Sequence, residues 1–315
     1  MQVNLQKAVL ILREDGVVGI PTETVYGLAA RIDSESALRQ IFATKERPFF
    51  DPLIVHVSSL EQARGLVSWW PEVATVLAQR FWPGPLTLVL PKAEQVNPLI
   101  TSGLPTVALR QPRHPLTQQL LEKVGPLAAP SANKFGRVSP TRPEHVEGEF
   151  SGQVAVLDGG SCEVGIESTV LLVKNSNPVQ ISILREGQIL LSEIEKEMTE
   201  AKLPFTTVAA VSRAESPGHF RHHYMPSVPL VLCERIPRCQ EHLQVALAEK
   251  ISQIPEQVEG VRVRKPSSLQ NLRELVLATD PVLAARELYQ RLREVAETSP
   301  DVIYFVVPSC CIFRS

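Results

Sequence analysis

The stretch Lys45–Val57, KERPFFDPLIVHV, joins the end of a predicted helix to a complete predicted strand. Pro48 cannot continue the helix over Ser34–Thr44, because proline has no backbone N–H and its ring clashes with the preceding turn. The apolar run Leu53–Val57 then has the length and the β-branched content of a buried strand. A helix that leads directly into a buried strand is typical of an α/β domain.

The same alternation of short apolar runs and amphipathic segments extends in both directions through the first 190 residues. Further predicted strands are Val17–Thr22, Leu86–Leu90, Thr106–Arg110, Leu127–Pro130, Val154–Leu157, Thr169–Val173 and Ile181–Leu184. Further predicted helices are an amphipathic N-terminal helix that ends at Gly16, then Leu60–Val67, Glu72–Arg80 and Pro115–Val124. Ser58 with Glu61 is predicted to form a capping box for the helix at Leu60, and Asp33 or Ser34 to cap the helix before Pro48.

A second, smaller α/β domain is predicted near the C-terminal end of the chain. Residues 196–228 overlap the end of a polar helix, Leu191–Thr199, and include SPGHFRHHYMPSVP, whose prolines and glycine disfavour regular structure, so we interpret them as an interdomain linker. Strands are then predicted at Pro229–Cys233, Gly260–Val263 and Val302–Val307, and helices at Gln240–Ile251 and Pro281–Ala296. The sequence therefore predicts domains at 1–195 and 229–315, the second with fewer residues after its last strand than a covering helix needs.

Composition argues against several classes of protein. With 44% hydrophobic residues the chain can bury a core, and its net charge of −2 provides no overall basic field for nucleic acid. The five cysteines form no C-x-x-C pair, and their odd number argues against a secreted disulfide framework. No apolar run reaches the ~20 residues of a membrane helix, and the N-terminus does not resemble a signal peptide. We therefore expect a soluble cytoplasmic protein with no membrane contact.

Polar residues gather at the ends of the predicted strands, although the common catalytic motifs are missing. The sequence has no G-x-x-x-x-G-K-[ST] loop, no G-x-G-x-x-G, no G-x-S-x-G and no H-E-x-x-H. Lys45 and Arg47 could complement a helix dipole or, as a point charge beside a bidentate fork, hold phosphate groups. Arg110 ends an apolar strand, where an unpaired guanidinium would be costly, so it either reaches solvent or faces an anion.

The other polar clusters have simple structural interpretations beside the functional ones. Pro21–Ala30, PTETVYGLAA, is either an ordinary strand-to-helix loop or a ligand-binding loop. Ser131 and Asn133 either form turns or donate hydrogen bonds to a nucleotide, and His56, taken alone, is typical of a core histidine.

Taken together, the clusters supply cations, hydroxyls and amides but little that resembles a general-base pair. Ser168 stands at the start of one strand and Arg185 at the end of the next. Such a set favours a site that binds and orients polyanions. The histidines of HFRHHY, residues 219–224, lack partners at ligand spacing, so we expect a surface or lid segment there and no metal site.

Seven motifs occur in a fixed order along the first 190 residues, and an eighth lies in the linker. They are PTETVYGLAA, KERPFFDPLIVHV, FWPGPLTLVLPK, ALRQPRHP, APSANKFGRVSPT, GIESTV, ILREG and SPGHFRHHYMPSVPL. As a set they resemble the YrdC-like threonylcarbamoyl-AMP synthase family in its longer, two-domain form. The resemblance implies a twisted, mixed α/β sheet that encloses a cationic cavity, followed by a smaller Rossmann-like α/β domain.

The resemblance also implies an activity. Members of this family form threonylcarbamoyl-AMP and pyrophosphate from L-threonine, bicarbonate and ATP with Mg²⁺, for the threonylcarbamoyladenosine modification of tRNA. The amine of threonine is carboxylated, and the carbamate oxygen then attacks the α-phosphate of ATP. A separate tRNA threonylcarbamoyl transferase uses the product, and a weak contact with RNA is compatible with this role.

Residue by residue, the resemblance assigns roles to positions of this sequence. Lys45 and Arg47 match the K-x-R element of the family and would act on the ATP phosphates as catalytic cations. The other ATP-side positions are Asp51, Thr106, Ser131, Asn133, Ser139, Arg185 and, in a linker segment that folds over the cavity, Tyr224. The threonine-side positions are Thr24, His56, Arg110, which pairs with the carboxylate, and Ser168. On this basis Lys45→Ala or Arg47→Ala is expected to reduce synthesis sharply while leaving the fold intact.

Asp51 departs from the family, which usually has asparagine before PLIVH. A carboxylate near triphosphate oxygens repels them unless magnesium or Arg47 intervenes. The sequence therefore predicts either a weaker affinity for ATP or a closer role of Asp51 in metal binding.

Two other functions fit the same polar clusters. An RNA-binding YrdC-like module would hold a phosphate backbone in a salt-dependent manner and would need no threonine. A carbamoyltransferase would act on carbamoyl phosphate or on carbamoyl-adenylate. The net charge of −2 argues against the first function, and the linker favours a stand-alone synthase over the second.

Overall fold

The computed structural model describes residues 1–209, 226, 228–233, 240–252, 257–258, 261–262, 266 and 269–306, with the backbone alone for 240–242, 257–258 and 261–262. The chain divides into two compact units, and most of the first 209 residues belong to the first unit. Tyr224 and the histidines at 219, 222 and 223 lie outside the described residues. In the part of the chain that is described, no helix is long and apolar enough to cross a membrane.

Within the described residues, the first unit contains an eleven-stranded mixed sheet flanked by helices. The strands are β1 (Gln2–Val3), β2 (Val18–Ile20), β3 (Gly27–Arg31), β4 (Ile54–His56), β5 (Leu86–Pro91), β6 (Thr106–Arg110), β7 (Leu127–Ala128), β8 (Ala155–Leu157), β9 (Thr169–Lys174), β10 (Val179–Arg185) and β11 (Phe205–Thr207). The helices are α1 (Leu5–Arg13), α2 (Glu35–Lys45), α3 (Leu60–Arg64), α4 (Glu72–Phe81), α5 (Pro98–Thr101), α6 (Pro115–Val124), α7 (Pro143–Glu149) and α8 (Leu191–Glu200). The spatial order of the strands is β1-β8-β2-β3-β7-β4-β6-β5-β9-β10-β11.

The register of the central strands places several polar residues at one edge of the sheet. β4 and β6 run parallel, with His56 opposite Arg110. β5 is antiparallel to β6 and parallel to β9, so the starts of β5 and β9 lie at the edge where β6 ends. β10 is antiparallel to β9 and ends at this same edge with Arg185. The strand ends that carry the predicted polar residues are therefore neighbours in space.

The apolar run Leu53–Val57 is continuous because β4 is buried on both faces. Ile54 packs with Val89 and Ala108 on one face, while Val55 belongs to the large core that contains Leu38 of α2. Side chains alternate across a strand, so a strand covered on both sides needs apolar residues at successive positions.

Both ends of helix α2 are set by identifiable residues, Ser34 at the start and Glu46 with Pro48 at the end. The hydroxyl of Ser34 accepts the N–H of Ala37 at 3.3 Å, which caps the first turn. The helix ends because Glu46 adopts the left-handed conformation with φ of 52° and because Pro48 follows. The predicted end of this helix is confirmed, and it positions Lys45 in the last turn.

The structure differs from the predicted first unit in several details. The interpretation of Pro21–Ala30 as a strand-to-helix loop missed β3, which pairs with β2 in antiparallel fashion from Gly27 onward. The residue that caps α3 is Ser59, whose hydroxyl accepts the N–H of Gln62 at 3.2 Å, and not Ser58. Residues 205–207, interpreted as linker, form β11 and pair with β10, so regular structure of the first unit extends beyond residue 195.

The second unit has, within its described residues, a parallel sheet and two helices. The strands β12 (Leu230–Cys233), β15 (Leu272–Glu274) and β16 (Val302–Val306) are ordered β12-β16-β15, and β13 (Gln257–Val258) pairs with β14 (Val261–Arg262). The helices are α9 (Gln240–Ser252) and α10 (Pro281–Glu297). Parallel strands joined through helices confirm the predicted α/β character. A Rossmann-like arrangement in detail and the domain boundaries stay predictions.

Candidate active site

The ammonium group of Lys45 connects the end of α2 with the loop that follows β7. Its Nζ donates hydrogen bonds to the carbonyl oxygens of Ser131 and Asn133, and the N–H of Phe135 donates to the Lys45 carbonyl at 2.8 Å. Lys45 is 1% exposed. The structure therefore brings together the K-x-R and S-x-N elements, which are 86 residues apart in the sequence.

Arg47 lies beside Lys45 and forms a buried ion pair with Asp51. Its Nη2 is 2.8 Å from Oδ2 of Asp51, and the side chains are 4% and 1% exposed. Arg47 also donates from Nε to the Asp51 carbonyl at 3.2 Å and from Nη2 to the Pro52 carbonyl at 2.8 Å. The guanidinium is thus fixed by the chain that leads into β4.

The charge of Lys45 depends on its neighbours. Burial and then the nearby Arg47 lower the pKa of Lys45 well below its ordinary value, whereas Asp51 and Glu149 act in the opposite direction. A bound polyanion would favour the charged form of Lys45. Burial and Arg47 therefore act against the charged form of Lys45, and Asp51 and Glu149 act in its favour.

Arg110, the last residue of β6, is held by hydrogen bonds from Nε and Nη1 and by an ion pair at Nη2. Nη1 donates to Oγ1 of Thr24 at 2.8 Å, Nε donates to the carbonyl of Gly84 at 3.2 Å, and Nη2 lies 2.7 Å from Oε1 of Glu23. The Arg110 and Glu23 side chains are 4% and 2% exposed. One N–H on each terminal nitrogen remains for a ligand, because the guanidinium has five donors.

The hydroxyl of Thr24 has a defined orientation. Oγ1 of Thr22 lies 2.6 Å from the Val25 carbonyl, to which it donates its proton. The two threonine hydroxyl oxygens are 2.9 Å apart, so Thr24 donates to Thr22 while it accepts from Arg110. This short turn therefore holds Thr24 against the guanidinium.

Glu23 remains ionised although it is buried. Burial raises its pKa, but the Arg110 guanidinium and the N–H of Arg113, which donates to Oε2 at 2.9 Å, outweigh burial and lower the pKa below its ordinary value. The Glu23 carbonyl also accepts the N–H of Val164 at 2.7 Å. Glu23 and Arg110 thus form a fixed pair of opposite charges.

Ser168, just before β9, and Arg185, the last residue of β10, form a third polar group. Arg185 donates from Nε to the Ser168 carbonyl and from Nη2 to its hydroxyl, both at 3.1 Å. The Ser168 hydroxyl is also 2.8 Å from that of Thr87. Gly187 allows this approach, because a Cβ there would lie 2.4 Å from the Thr169 nitrogen.

Ser139 and Thr106 are the two remaining described residues that the family resemblance assigns to ATP. The hydroxyl of Ser139, fully buried, donates to the carboxylate of Glu167, the residue before Ser168. Thr106 begins β6 and lies at the opposite end of that strand from Arg110, beside the chain that enters β4.

The loop Thr22–Gly27 connects the Lys45 group with the Arg110 group. Thr24 contacts Arg110, and two residues later the Tyr26 carbonyl accepts the N–H of Ala132 at 2.7 Å. Gly27 then pairs with Ser131, whose carbonyl accepts a hydrogen bond from Lys45. The buried guanidinium of Arg110 and the buried ammonium group of Lys45 therefore flank one short loop.

Comparison with protein families identifies the architecture. A family model for Sua5, YciO and YrdC, described as telomere recombination, matches residues 10–187. A second model, described as the C-terminal domain of threonylcarbamoyl-AMP synthase, matches residues 189–309. The chain belongs to the Sua5/YciO/YrdC family of threonylcarbamoyl-AMP synthases.

Individual relatives agree with this family. The threonylcarbamoyl-AMP synthase of Pyrococcus abyssi is 41% identical over 295 residues, which cover 93% of this chain and 85% of the relative. That of Bacillus subtilis is 42% identical over 242 residues, which cover 76% and 69%. A crystal structure of P. abyssi Sua5 complexed with L-threonine matches with a TM-score of 0.80 and 34% identity, over 98% of this chain and 93% of that one.

The family's polar positions form three contact groups in this structure. Lys45, Arg47, Asp51, Ser131 and Asn133 lie in the first group, and Thr24 and Arg110 in the second, with His56 opposite Arg110 in the sheet register. Ser168 and Arg185, assigned to different substrates by the family motifs, contact each other directly. Their division between ATP and threonine stays a prediction, and Tyr224 lies outside the described residues.

The carboxylates that partner these residues were not predicted from the sequence. Glu23 and Glu167 lie within the quoted motifs PTETVYGLAA and GIESTV, but no role followed from their local pattern. Glu23 pairs with Arg110 and Glu167 with Ser139, across long stretches of chain. The one signal in the sequence that could have identified them is that Glu23 precedes Thr24 and Glu167 precedes Ser168, the two hydroxyl residues predicted on the threonine side.

His56 is expected to make the stability of the family fold depend on pH. Burial, with a smaller effect of Arg110, lowers its pKa to about 3 from the ordinary 6.5, so the imidazole stays neutral in the folded protein. The unfolded chain takes up this proton below about pH 6.5 and the folded chain does not, so stability is lost as the pH falls from 6.5 towards 3. Between pH 7 and pH 5 the loss attributable to His56 is about 2 kcal/mol.

The variant His56→Asn should lack this part of the pH dependence. All three tryptophans, Trp69, Trp70 and Trp82, lie in the first unit, so urea unfolding followed by tryptophan fluorescence reports on its stability. We expect the stability difference between pH 7 and pH 5 to be about 2 kcal/mol smaller in the variant than in the wild type. An equal difference in both proteins would contradict the neutral state of His56.

Proposed function

We propose that this protein is an L-threonylcarbamoyladenylate synthase, which makes threonylcarbamoyl-AMP and pyrophosphate from L-threonine, bicarbonate and ATP. The observation that carries the proposal is the loop Thr22–Gly27, which contacts the buried guanidinium of Arg110 directly and is connected to the buried ammonium group of Lys45 through Ser131. The first is suited to the carboxylate of an amino acid and the second to phosphates. The P. abyssi Sua5 complexed with L-threonine supports the identity of the amino acid.

The threonine step uses the Arg110 group. The two remaining terminal N–H groups of Arg110 hold the threonine carboxylate. The hydroxyl oxygen of Thr24, whose proton is donated to Thr22, can accept a hydrogen bond from the amine or hydroxyl of the ligand, and the neutral imidazole of His56 supplies a further hydrogen bond. The ammonium group first loses one proton to solvent. The neutral amine nitrogen then forms a bond to the carbon of bicarbonate while one C–O bond breaks, and the departing oxygen leaves as water with one proton from the nitrogen, which gives the carbamate. Because the surrounding side chains are buried, the carbamate would be protected from bulk water.

The phosphate step uses Lys45 and Arg47. A carbamate oxygen attacks the α-phosphorus of ATP, and the bond to the bridging oxygen of pyrophosphate breaks. The protein need not supply a base, because the nucleophile is already an anion. Lys45 as a point charge and Arg47 as a planar fork stabilise the charge that develops on the phosphate oxygens. The phosphates favour the charged form of Lys45, whose pKa is lowered by burial in their absence.

Asp51 offsets part of the positive charge of Lys45 and Arg47. Its buried carboxylate is stabilised by the ion pair with Arg47. ATP, which we propose binds as its Mg²⁺ complex, approaches Arg47 against the charge of Asp51. We expect Asp51→Asn to increase the affinity for ATP about tenfold, the equivalent of relieving ~1.4 kcal/mol of repulsion. The measurement is titration with a non-hydrolysable ATP analogue at several Mg²⁺ concentrations.

The matched control is Glu46→Gln, since Glu46 adjoins the same element but pairs with Lys134 and is largely exposed. An unchanged affinity with an altered magnesium dependence would instead indicate that Asp51 takes part in metal binding. If both stayed the same, Asp51 would have no role in ATP binding.

The proposed activity is tested by pyrophosphate release from ATP with Mg²⁺ and bicarbonate, with and without L-threonine. Threonine-dependent release that is absent or much weaker with serine would support the synthase. Folded protein without threonine-dependent release, but with RNA binding that weakens steeply with salt, would favour the RNA-binding module.

The product must be used by an enzyme that transfers the threonylcarbamoyl group to an adenosine of tRNA. We propose that such a transferase is a partner of this protein and that tRNA itself binds weakly.

We place this reaction in the cytoplasm. Cys162 and Cys233 are buried free thiols, which fits a reducing compartment.

A further inference from the structure

Glu23 is a buried, ionised carboxylate for which the family motifs assign no role. It stands between Thr22 and Thr24, with Oε1 on Arg110 at 2.7 Å and Oε2 on the N–H of Arg113 at 2.9 Å. A carboxylate has about four lone-pair sites, so each oxygen can accept a further hydrogen bond. Glu23 therefore lies beside the expected position of the amino-acid carboxylate with unused acceptor capacity.

The pair of Glu23 and Arg110 carries no net charge. A ligand that brings a carboxylate alone to Arg110 would leave one buried negative charge uncompensated, which is unfavourable in a site with so little exposure. An amino acid in its zwitterionic form brings an ammonium group together with the carboxylate. Its charges match those of the pair one for one.

Other nearby groups do not change this balance. Burial lowers the pKa of His56 to about 3 and raises that of the Cys162 thiol to about 12, so both are uncharged at neutral pH. The side chain of Arg113 extends to Glu163, where the pair is exposed. The charges that face the ligand in this group are thus those of Glu23 and Arg110.

We propose that Glu23 and Arg110 together recognise a zwitterion, with Arg110 binding the carboxylate and Glu23 binding the ammonium group. Glu23 then determines the selectivity for a free α-amino acid over acids of the same shape that lack the amine. This inference rests on the proposed function, since it concerns the threonine subsite. It adds a ligand-contacting residue to that subsite.

The test is equilibrium binding by calorimetry at pH 7.5 without ATP. The two ligands are L-threonine and 2,3-dihydroxybutanoate, in which a hydroxyl replaces the amine. Wild-type protein is expected to prefer threonine by about 10- to 100-fold, the contribution of one charge-assisted hydrogen bond. Glu23→Gln should reduce this preference to less than about threefold, because threonine binds more weakly and the dihydroxy acid binds as well or better.

Two further variants separate recognition from a structural effect. Glu163→Gln removes an exposed carboxylate from the neighbouring Arg113 and should keep the wild-type preference. Glu23→Asp keeps the charge and should retain most of the preference even if both affinities fall.

Several outcomes would overturn the proposal. Equal weakening of both ligands in Glu23→Gln, with the preference unchanged, would mean that Glu23 only supports the fold. If Glu23→Gln does not fold, the wild type still decides, because equal affinity for the two ligands excludes recognition of the ammonium group. A failure of wild-type protein to bind threonine at all would instead contradict the proposed function itself.

Discussion

Lys45→Met is expected to lower the rate of threonine-dependent pyrophosphate release by about 10²- to 10³-fold. The substitution removes a buried charge next to the expected phosphates and keeps most of the side-chain volume. Removal of one preorganised group that stabilises transition-state charge typically has an effect of this size. Initial rates at saturating ATP and threonine measure it.

The contacts of Lys45 also change the expectation for the fold. Family resemblance alone suggested that Lys45→Ala leaves the fold intact, but Nζ donates to the carbonyls of Ser131 and Asn133. Loss of these hydrogen bonds is expected to cost about 1–3 kcal/mol, and alanine would add a cavity. Methionine avoids most of the cavity.

The matched control for this variant is Lys134→Met. Lys134 lies in the same loop as Asn133, but it is half-exposed and pairs with the exposed Glu46. Such surface pairs contribute about 0–1 kcal/mol, so the control should keep both its stability and its rate. A folded Lys45→Met protein with a rate within tenfold of wild type would remove Lys45 from the catalytic machinery.

The regular elements were predictable where the sequence pattern is strong. The strand at Ile54–His56 followed from a continuous apolar run, and the helix before it from Ser34 and Pro48. Strand β3 was missed because GLAAR has no β-branched residue and follows a polar loop. Its strand conformation depends on pairing with β2 and β7, which the local sequence does not reveal.

The cations of the site were predictable, but their partners were not. Lys45, Arg47 and Arg110 lie at or just after the ends of α2 and β6, next to apolar segments, where a charged residue is easily recognised in the sequence. The partner of Arg110 is 87 positions away in Glu23, and only the fold brings the two together. The sequence therefore predicted a set of cations for an anionic ligand, whereas the structure has ion pairs at Arg47 and at Arg110.

Arg110→Met is expected to reduce the stability of the first unit by about 3–5 kcal/mol and to abolish measurable binding of threonine. The variant leaves Glu23 ionised and buried without its counter-ion, and such an uncompensated charge is the main cost of breaking a buried pair. Urea unfolding followed by tryptophan fluorescence measures the stability, because all three tryptophans lie in this unit.

The double variant Glu23→Gln with Arg110→Met tests the cause of this loss. Removing both charges leaves no buried ion, and the glutamine oxygen can still accept the N–H of Arg113, so the double variant should be more stable than Arg110→Met by about 2 kcal/mol or more. Threonine binding should stay absent in both, because the carboxylate has lost its guanidinium. Equal stability of the single and double variants would show that packing of the Arg110 side chain, and not its charge, holds the end of β6 in place. Recovery of stability without recovery of binding would show that the same ion pair supports the fold and forms the substrate site.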